Sequence, residues 1–566
     1  MPHRILLISL FLYFPFLRSQ LSCPCSPSSG QVLKPIQLNA GKDSVSLNKL
    51  ILHYQTRGYL GASGQRDSAG QLFLFPGPQY AVVRISDPGQ VAGDTLCLPP
   101  ADLYTLATAW LQEMDNSGYP FARFQWFVSN IGECLLFQPR RDKGLFVAFD
   151  SVLFSGLDLS PGAMRRIAGI KPGEPYNQSK VDLLRLRLPA CQGIMASAAP
   201  ALEIRDGRLR LTPGIFSTNR DRLSLLAGLA TSEVGRPVFT GEADAHFYNL
   251  FRNPYSAWLQ WRGFRARSQE LHLGTELPYL FGLPWVTSLQ AGMEKLDTLY
   301  TRFAQSVAFR IPVTRQFRIS VIADFVTRRG IYADVNHVQQ FRNLPENPDS
   351  RNALYGMGLE WNSLNDLRMP VKGLWISGKA SAGQRTILRD SRLETVQWTS
   401  SAGKLENVYD SLARTGGLKS NQYRTDVQAE WYLPVSRVCV VKWSAESHWL
   451  HLPVIYFNEL GRYGGIKNMR GFNEQSIFAN QFHMATAEAR LLLAGSGFAG
   501  AFVSAGYWKN ESRTGAAYGN PVSTGISAAI QTRAGILQLV WAVGSGNGQS
   551  MNLNNSKFHL GIANRF

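Results

Sequence analysis

Residues 485–493 read ATAEARLLL, and the alternation within them decides the fold. Thr486, Glu488 and Arg490 share one parity, whereas Ala485, Ala487, Ala489 and Leu491 share the other. A helix would scatter the charges around its axis, but a strand puts every second residue on one face. Charge on one face and small apolar residues on the other suit a wall with water inside and lipid outside. Within a bilayer such a strand must sit in a closed sheet, because every backbone N–H and C=O needs a partner.

Outward from this stretch the same pattern recurs. From about residue 222 helical periodicity disappears, and segments of about 9–13 residues alternate apolar and polar between turn residues. Eleven such strands precede residue 461, beginning near Leu223, Ala243, Ala257, Leu271, Val286, Phe303, Phe317, Leu354, Leu374, Tyr423 and Val438. Five more begin near His483, Gly500, Gly525, Gly535 and Phe558. The total is roughly sixteen, and bacterial single-chain barrels use even numbers. Connections such as LFRNPY (250–255), YLFGLPW (279–285), IPVTRQ (311–316), LPVSR (433–437) and LLAGSGF (492–498) are tight. Residues 327–352 and the stretch around Arg385–Ser420 are long. If the first strand runs outward from the periplasm, these tight turns are periplasmic and the long loops extracellular. The last segment, SKFHLGIANRF, puts Phe558, Leu560, Ile562 and Phe566 on one parity and ends on an aromatic residue.

The N-terminus fits export. His3 and Arg4 precede the apolar run ILLISLFLYFPFL, which is short for a spanning helix and suits a signal peptide over 1–22. Cys23 as a lipidated residue is the alternative, disfavoured because Leu21 stands one position too close for a good lipobox. Six cysteines are present; Cys97 and Cys134 could form a disulfide in an oxidising compartment or stand as buried thiols. The formal charge of +18 suits nucleic acid, anionic lipid or a basic lumen, and export removes the first. Mean hydropathy of −0.12 is too polar for a helical membrane protein, and 45% hydrophobic residues exclude disorder.

Between the leader and the barrel lies a repeat. SLNKLILHYQTRGYLGA (46–62) leads into GQLFLFPGPQYAVVRI (70–85), and LYTLATAWLQEMDNSGYPFARFQWFV (103–128) leads into ECLLFQPRRDKGLFVAFDSVLF (133–154). Each copy runs helix, Gly-Tyr, strand, strand. Leu47, Leu50, Ile51 and Tyr54 fall at one-face spacing, as do Leu103, Leu106, Trp110 and Met114. Gly58 and Gly118 end the helices where a left-handed residue costs least. A third copy is read from a strand at 144–156, two helices within 160–188 and a hairpin about Asp206-Gly207. The α+β modules are expected at 30–77, 78–143 and 144–213, and the barrel at 220–566.

The order of elements, with GYLGA, GYPFA and KPGEPYN, resembles the POTRA domains that precede outer-membrane insertase barrels. The stretch GRYGGIKNMRGFNEQ (461–475) lies between the eleventh and twelfth strands. It lacks the Gly-Lys-Ser/Thr of a phosphate loop and no helix follows. It is similar to the signature loop of the BamA/TamA superfamily, in which a Gly-Gly pair and an Arg-Gly-aromatic triplet fold back into the barrel. Gly464, Gly465, Arg470, Gly471 and Phe472 match that motif, and FTGEADAHFYNLFR and TELPYLFG add to the resemblance. The resemblance implies an inward-folded loop over 457–481. An arginine held in a lumen needs a carboxylate, and Glu488 is the parity-matched candidate on the next strand. The family's usual aspartate on the thirteenth strand is replaced by Ser504 in GAFVSAGYW.

Three modules in this length suit the TamA type, and two would suit two-partner secretion transporters. The expected function is therefore an outer-membrane protein assembly or translocation factor of a Gram-negative bacterium, its modules in the periplasm. The alternatives are export of one dedicated partner, or a passive porin or receptor. Expected partners are outer-membrane lipids, unfolded client proteins and a periplasm-spanning TamB-like protein, without nucleic acid. The nine histidines form no Ser/His/Asp cluster and no metal-ligand spacing, so no enzyme, cofactor or metal is expected. The first strand, LSLLAGLA, is expected to meet FHLGIAN at a seam weakened by Gly228 and Gly561. Arg262, Arg265 and Arg267 in WRGFRARSQ are read as lumen or headgroup residues.

Overall fold

The computed structural model describes residues 36–38 and, with short gaps, 51–563. The segment 1–22, Cys23 and the terminal Phe566 lie outside the described residues. The chain separates into two compact units. The first reaches to Ser151 and includes Lys171–Ser179 and Leu202–Arg210; the second holds Val152–Ile170, Lys180–Ala201 and Leu211–Phe566. The expected third module, 144–213, is thus divided, with helix Pro161–Ala168 grouped with the barrel.

In the first unit the repeat is visible at the level of single hydrogen bonds. Tyr59 N donates to Tyr54 O and Ala62 N to Tyr59 O; sixty residues on, Tyr119 N donates to Met114 O and Ala122 N to Tyr119 O. Gly58 and Gly118 carry φ of 96° and 101° at these helix ends, a conformation any side chain would strain. Each glycine carbonyl then accepts from a following segment, Gly58 from Tyr80 and Gly118 from Val147. Strands 36–38, 72–75 and 63–66 form one sheet, and 95–98, 83–86, 134–142 and 123–131 a second beneath helix Pro100–Asn116. Leu103 and Met114 of that helix are buried, but Leu106 is exposed, so the apolar stripe is narrower than its spacing suggests. Asp206 and Gly207 take φ of 48° and 71° in the expected hairpin turn.

The second unit is dominated by sixteen wall strands paired antiparallel in sequence order, with a short added strand, Ala517–Gly519, at the end of the thirteenth. They are β1 (Arg222–Thr231), β2 (Pro237–Leu250), β3 (Tyr255–Arg265), β4 (Ser268–Pro278), β5 (Val286–Leu296) and β6 (Tyr300–Pro312). Next come β7 (Phe317–Gly330), β8 (Ser350–Asn362), β9 (Gly373–Ile387), β10 (Lys419–Pro434) and β11 (Cys439–His451). The wall ends with β12 (Gln481–Leu493), β13 (Gly497–Asn510), β14 (Val522–Thr532), β15 (Gly535–Ser545) and β16 (Lys557–Ala563). The outward face is apolar and aromatic: Tyr355, Met357, Trp431 and Trp443 are exposed, with Trp431 and Trp443 directly opposite in register. A lipid surface covers such a face at no desolvation cost.

Two features differ from the sequence reading. Among the described residues no backbone pairing joins β1 to β16, although such a ladder was expected between the first and last strands. The described β16 has seven residues, the fewest in the wall, and so offers few ladder positions. Gly228 pairs instead with Thr240 of β2, and Gly561 with Gln538 of β15. Loop length also marks orientation only in part, because β3 joins β4 through Ala266 and Arg267, and β5 joins β6 through Asp297–Leu299, on the side of the long loops.

The long connections after β7, β9 and β11 pack together over that end of the barrel. Val338, Leu344, Leu393, Val396, Val408 and Tyr456 form a small apolar core there. Arg385 of β9, 2% exposed, fastens it by donating to Val454 O at 2.7 Å, Glu459 Oε2 at 3.0 Å and Ser420 Oγ at 2.9 Å.

Candidate functional site

The segment 461–479 is a hairpin inside the bore. Gly461–Tyr463 pairs antiparallel with Ile477–Ala479, and the turn between them carries the glycine and arginine motif. Its glycines are required by geometry. Gly464, Gly465 and Gly471 have φ of 106°, 94° and 89°. A Cβ on Gly465 would overlap the Glu474 carboxylate, and one on Gly471 would lie 2.9 Å from the backbone carbon of Val543 in β15. The hairpin thus touches the wall backbone at a point where only glycine fits.

Phe472 drives the turn home. It is buried with Met469, Ile477, Ala479, Phe482 and Trp508. Gly544 of β15 leaves the space for its ring, since a Cβ there would meet Phe472 at 2.7 Å. Gln549 Nε2 donates to Gly471 O at 2.8 Å and to Gly544 O at 3.0 Å, binding hairpin and strand together. Nearby, Ile466 packs on Phe502, Val540 and Ala542 and lies over Gly561.

Arg470 sits at the centre of this contact. Its guanidinium lies 3.4 Å from Glu488 Oε1 and stacks 3.5 Å from the ring centre of Phe502 on β13. Glu488, 2% exposed, also holds Arg490 Nη2 at 3.1 Å and accepts from Ser527 Oγ at 2.5 Å. Two guanidiniums and a hydroxyl therefore offset the desolvation of one carboxylate. Ser504, at the position of the family's aspartate, instead shares a 2.8 Å hydrogen bond with Thr486. Phe502, two residues earlier and opposite Glu488 in register, supplies the aromatic face on which the Arg470 guanidinium stacks.

The far side of the hairpin reaches the opposite wall. Arg262 of β3 is 3.2 Å from Glu474, and Arg462 bridges to Glu270 of β4 and Glu294 of β5. Asn468 donates to both carboxylate oxygens of Glu446 on β11 at 2.8 and 2.9 Å. Between hairpin, wall and cap remains a polar cavity of about 210 Å³ lined by Arg328, Arg424, Asp426 and His448 among others.

One family model, the Omp85 superfamily domain, matches residues 252–566. The chain belongs to the Omp85 superfamily. It is accordingly an outer-membrane β-barrel protein of a Gram-negative bacterium. Among solved structures, CdiB from Escherichia coli is similar at 12% identity and a TM-score of 0.53, covering 91% of this chain and 96% of that one. CdiB from Acinetobacter baumannii gives 12% and 0.51, covering 89% and 96%. BamA from Haemophilus ducreyi lacking POTRA domains 1–3 gives 15% and 0.46, covering 84% and 97%. No curated protein matches the chain in sequence.

Of the residues singled out from sequence, the fold brings Gly464, Gly465, Arg470, Gly471, Phe472 and Glu488 into one neighbourhood, with Gly561 beside it under Ile466. Gly228 lies in β1, and Arg267 sits in the β3–β4 turn at φ 58°. Sequence reading missed Phe502, Ser527 and Arg462. Arg490 shares the parity of Glu488 and was legible as lumenal, whereas nothing local in the sequence marks which aromatic side chain an arginine will stack on.

Proposed function

We propose that this protein inserts or translocates client proteins at the outer membrane. Clients arrive as extended segments, add to exposed sheet edges in the N-terminal α+β modules, and are handed to the barrel where β1 and β16 approach. A periplasm-spanning protein of the TamB kind would deliver them. The observation that supports this reading is the occupied bore. The hairpin 461–479 meets β3, β4 and β5 on one side and β12, β13, β15 and β16 on the other. Packed loops cover the outer end. A passive porin needs an open lumen, so the glycine-bearing edge strands are the better route for a client. No step calls for a cofactor or bond-making residue.

Depletion of the protein followed by quantification of outer-membrane proteins tests the proposal. Several barrel proteins should fall together. Loss of one secreted protein alone would indicate the two-partner secretion alternative, and an unchanged proteome would sink both readings.

A further inference from the structure

Glu270 and Glu294 face each other in register on β4 and β5. Like charges directly opposite on neighbouring strands destabilise a sheet unless a cation lies between them. Arg302 of β6 is 2.7 Å from Glu294 and compensates that carboxylate alone. The second cation comes from the hairpin: Arg462, 8% exposed at its side chain, is 3.3 Å from Glu270 Oε1 and 2.9 Å from Glu294 Oε2. Gln475, in the turn just before the returning hairpin strand, adds a 2.6 Å hydrogen bond to Glu270. Among the described residues Arg462 is the one cation within salt-bridge distance of Glu270.

We propose that Glu270 and Glu294 form a built receptor for Arg462, and that this second anchor, with Arg470, makes the hairpin a strut across the barrel. Arg470 fastens one end to β12 and β13, and Ile466 rests over Gly561 of β16. Arg462 fastens the other end to β4 and β5, on the β1 side. In the order of the sheet the two ends thus lie toward β1 and toward β16. Movement of the β1 side away from the β16 side stretches the strut, so one anchor must release first. The two anchors differ in kind. The Arg470 end stacks on Phe502 and is fixed by a glycine against backbone, whereas the Arg462 end is held by charge beside a polar cavity. That polar cavity borders the charged end, so Arg462 is the end that lets go. This deepens the insertion reading above and makes Arg462 a positioning residue for it.

Amide hydrogen exchange on the purified, folded full-length protein tests the strut without any client, so its outcome is independent of the proteome experiment. Arg462→Gln should speed exchange of 461–463 and 477–479 by about tenfold, and that of 557–563 in β16 several-fold, while β6–β8 stay unchanged and report a folded wall. Glu270→Gln relieves the carboxylate repulsion yet removes a contact, and should loosen the same hairpin residues with no loss of the barrel. Unchanged hairpin exchange in both variants would overturn the anchor. Faster hairpin exchange with β16 unaltered would overturn the strut.

Discussion

At the scale of single residues, Arg470 and Gly471 make separate demands on the same turn. Arg470→Ala removes one of two guanidiniums from Glu488 and the ring stack on Phe502. Breaking a buried pair costs about 3–5 kcal/mol, and the remaining Arg490 and Ser527 reduce that figure here. The barrel should still reach the membrane folded, with residues 461–475 newly cleavable by protease in intact cells and complementation of a depleted strain lost. Arg470→Lys should restore little, because an ammonium has no planar face to stack on Phe502. Full activity of Arg470→Ala with an uncleavable hairpin would reduce the motif to an ordinary turn. Gly471→Ala tests sterics rather than charge. With φ at 89° and the added methyl 2.9 Å from Val543 backbone, it should weaken docking by about 1–3 kcal/mol, read as faster amide exchange over 468–472.

At the scale of elements, the hairpin and the outer cap are held by different physics. The hairpin turn combines an apolar cluster with one charged centre, so its loss leaves the wall strands intact. The cap rests on a small core and on Arg385, whose partner Glu459 also accepts the Tyr456 N–H at 3.0 Å. Arg385→Ala leaves Glu459 buried beside an empty space, a loss of about 3–5 kcal/mol in a well-enclosed pair. Arg385 ties β9 to the connection after β11, so limited proteolysis should cut within 388–418 in the variant and spare the parent. Equal resistance of both proteins would mean that the apolar packing alone keeps the cap shut.

At the scale of the whole molecule, the bore is closed by two devices, the hairpin below and the cap above. Planar-bilayer recordings should therefore show little conductance for the parent protein. Deletion of 461–479, with the flanking strands rejoined by a short glycine-serine linker, should raise it to large, frequent openings, because the wall pairing of β11 with β12 does not depend on the hairpin. Large openings in the parent would contradict a closed bore and favour a transport route through the lumen. The +18 charge finds part of its place at this scale. Arg262, Arg302, Arg328, Arg424, Arg462, Arg470 and Arg490 are on the bore side, several beside carboxylates.

The wall was legible in the sequence because its signal is local. Period-two alternation states the strand, its parity states the face, and turn residues state the breaks, so the sixteen strands and the lumenal side of Glu488 followed from residues alone. The resemblance of 464–472 to a known loop carried the inward hairpin, since nothing in composition says where a loop goes. What only the tertiary structure decided are contacts between residues far apart in the chain. Phe502 beneath Arg470, Arg462 between Glu270 and Glu294, and Ile466 over Gly561 depend on which strands curve to face one another across the bore. A one-dimensional pattern fixes the side of the wall a residue points to; closure of the sheet fixes what it meets there.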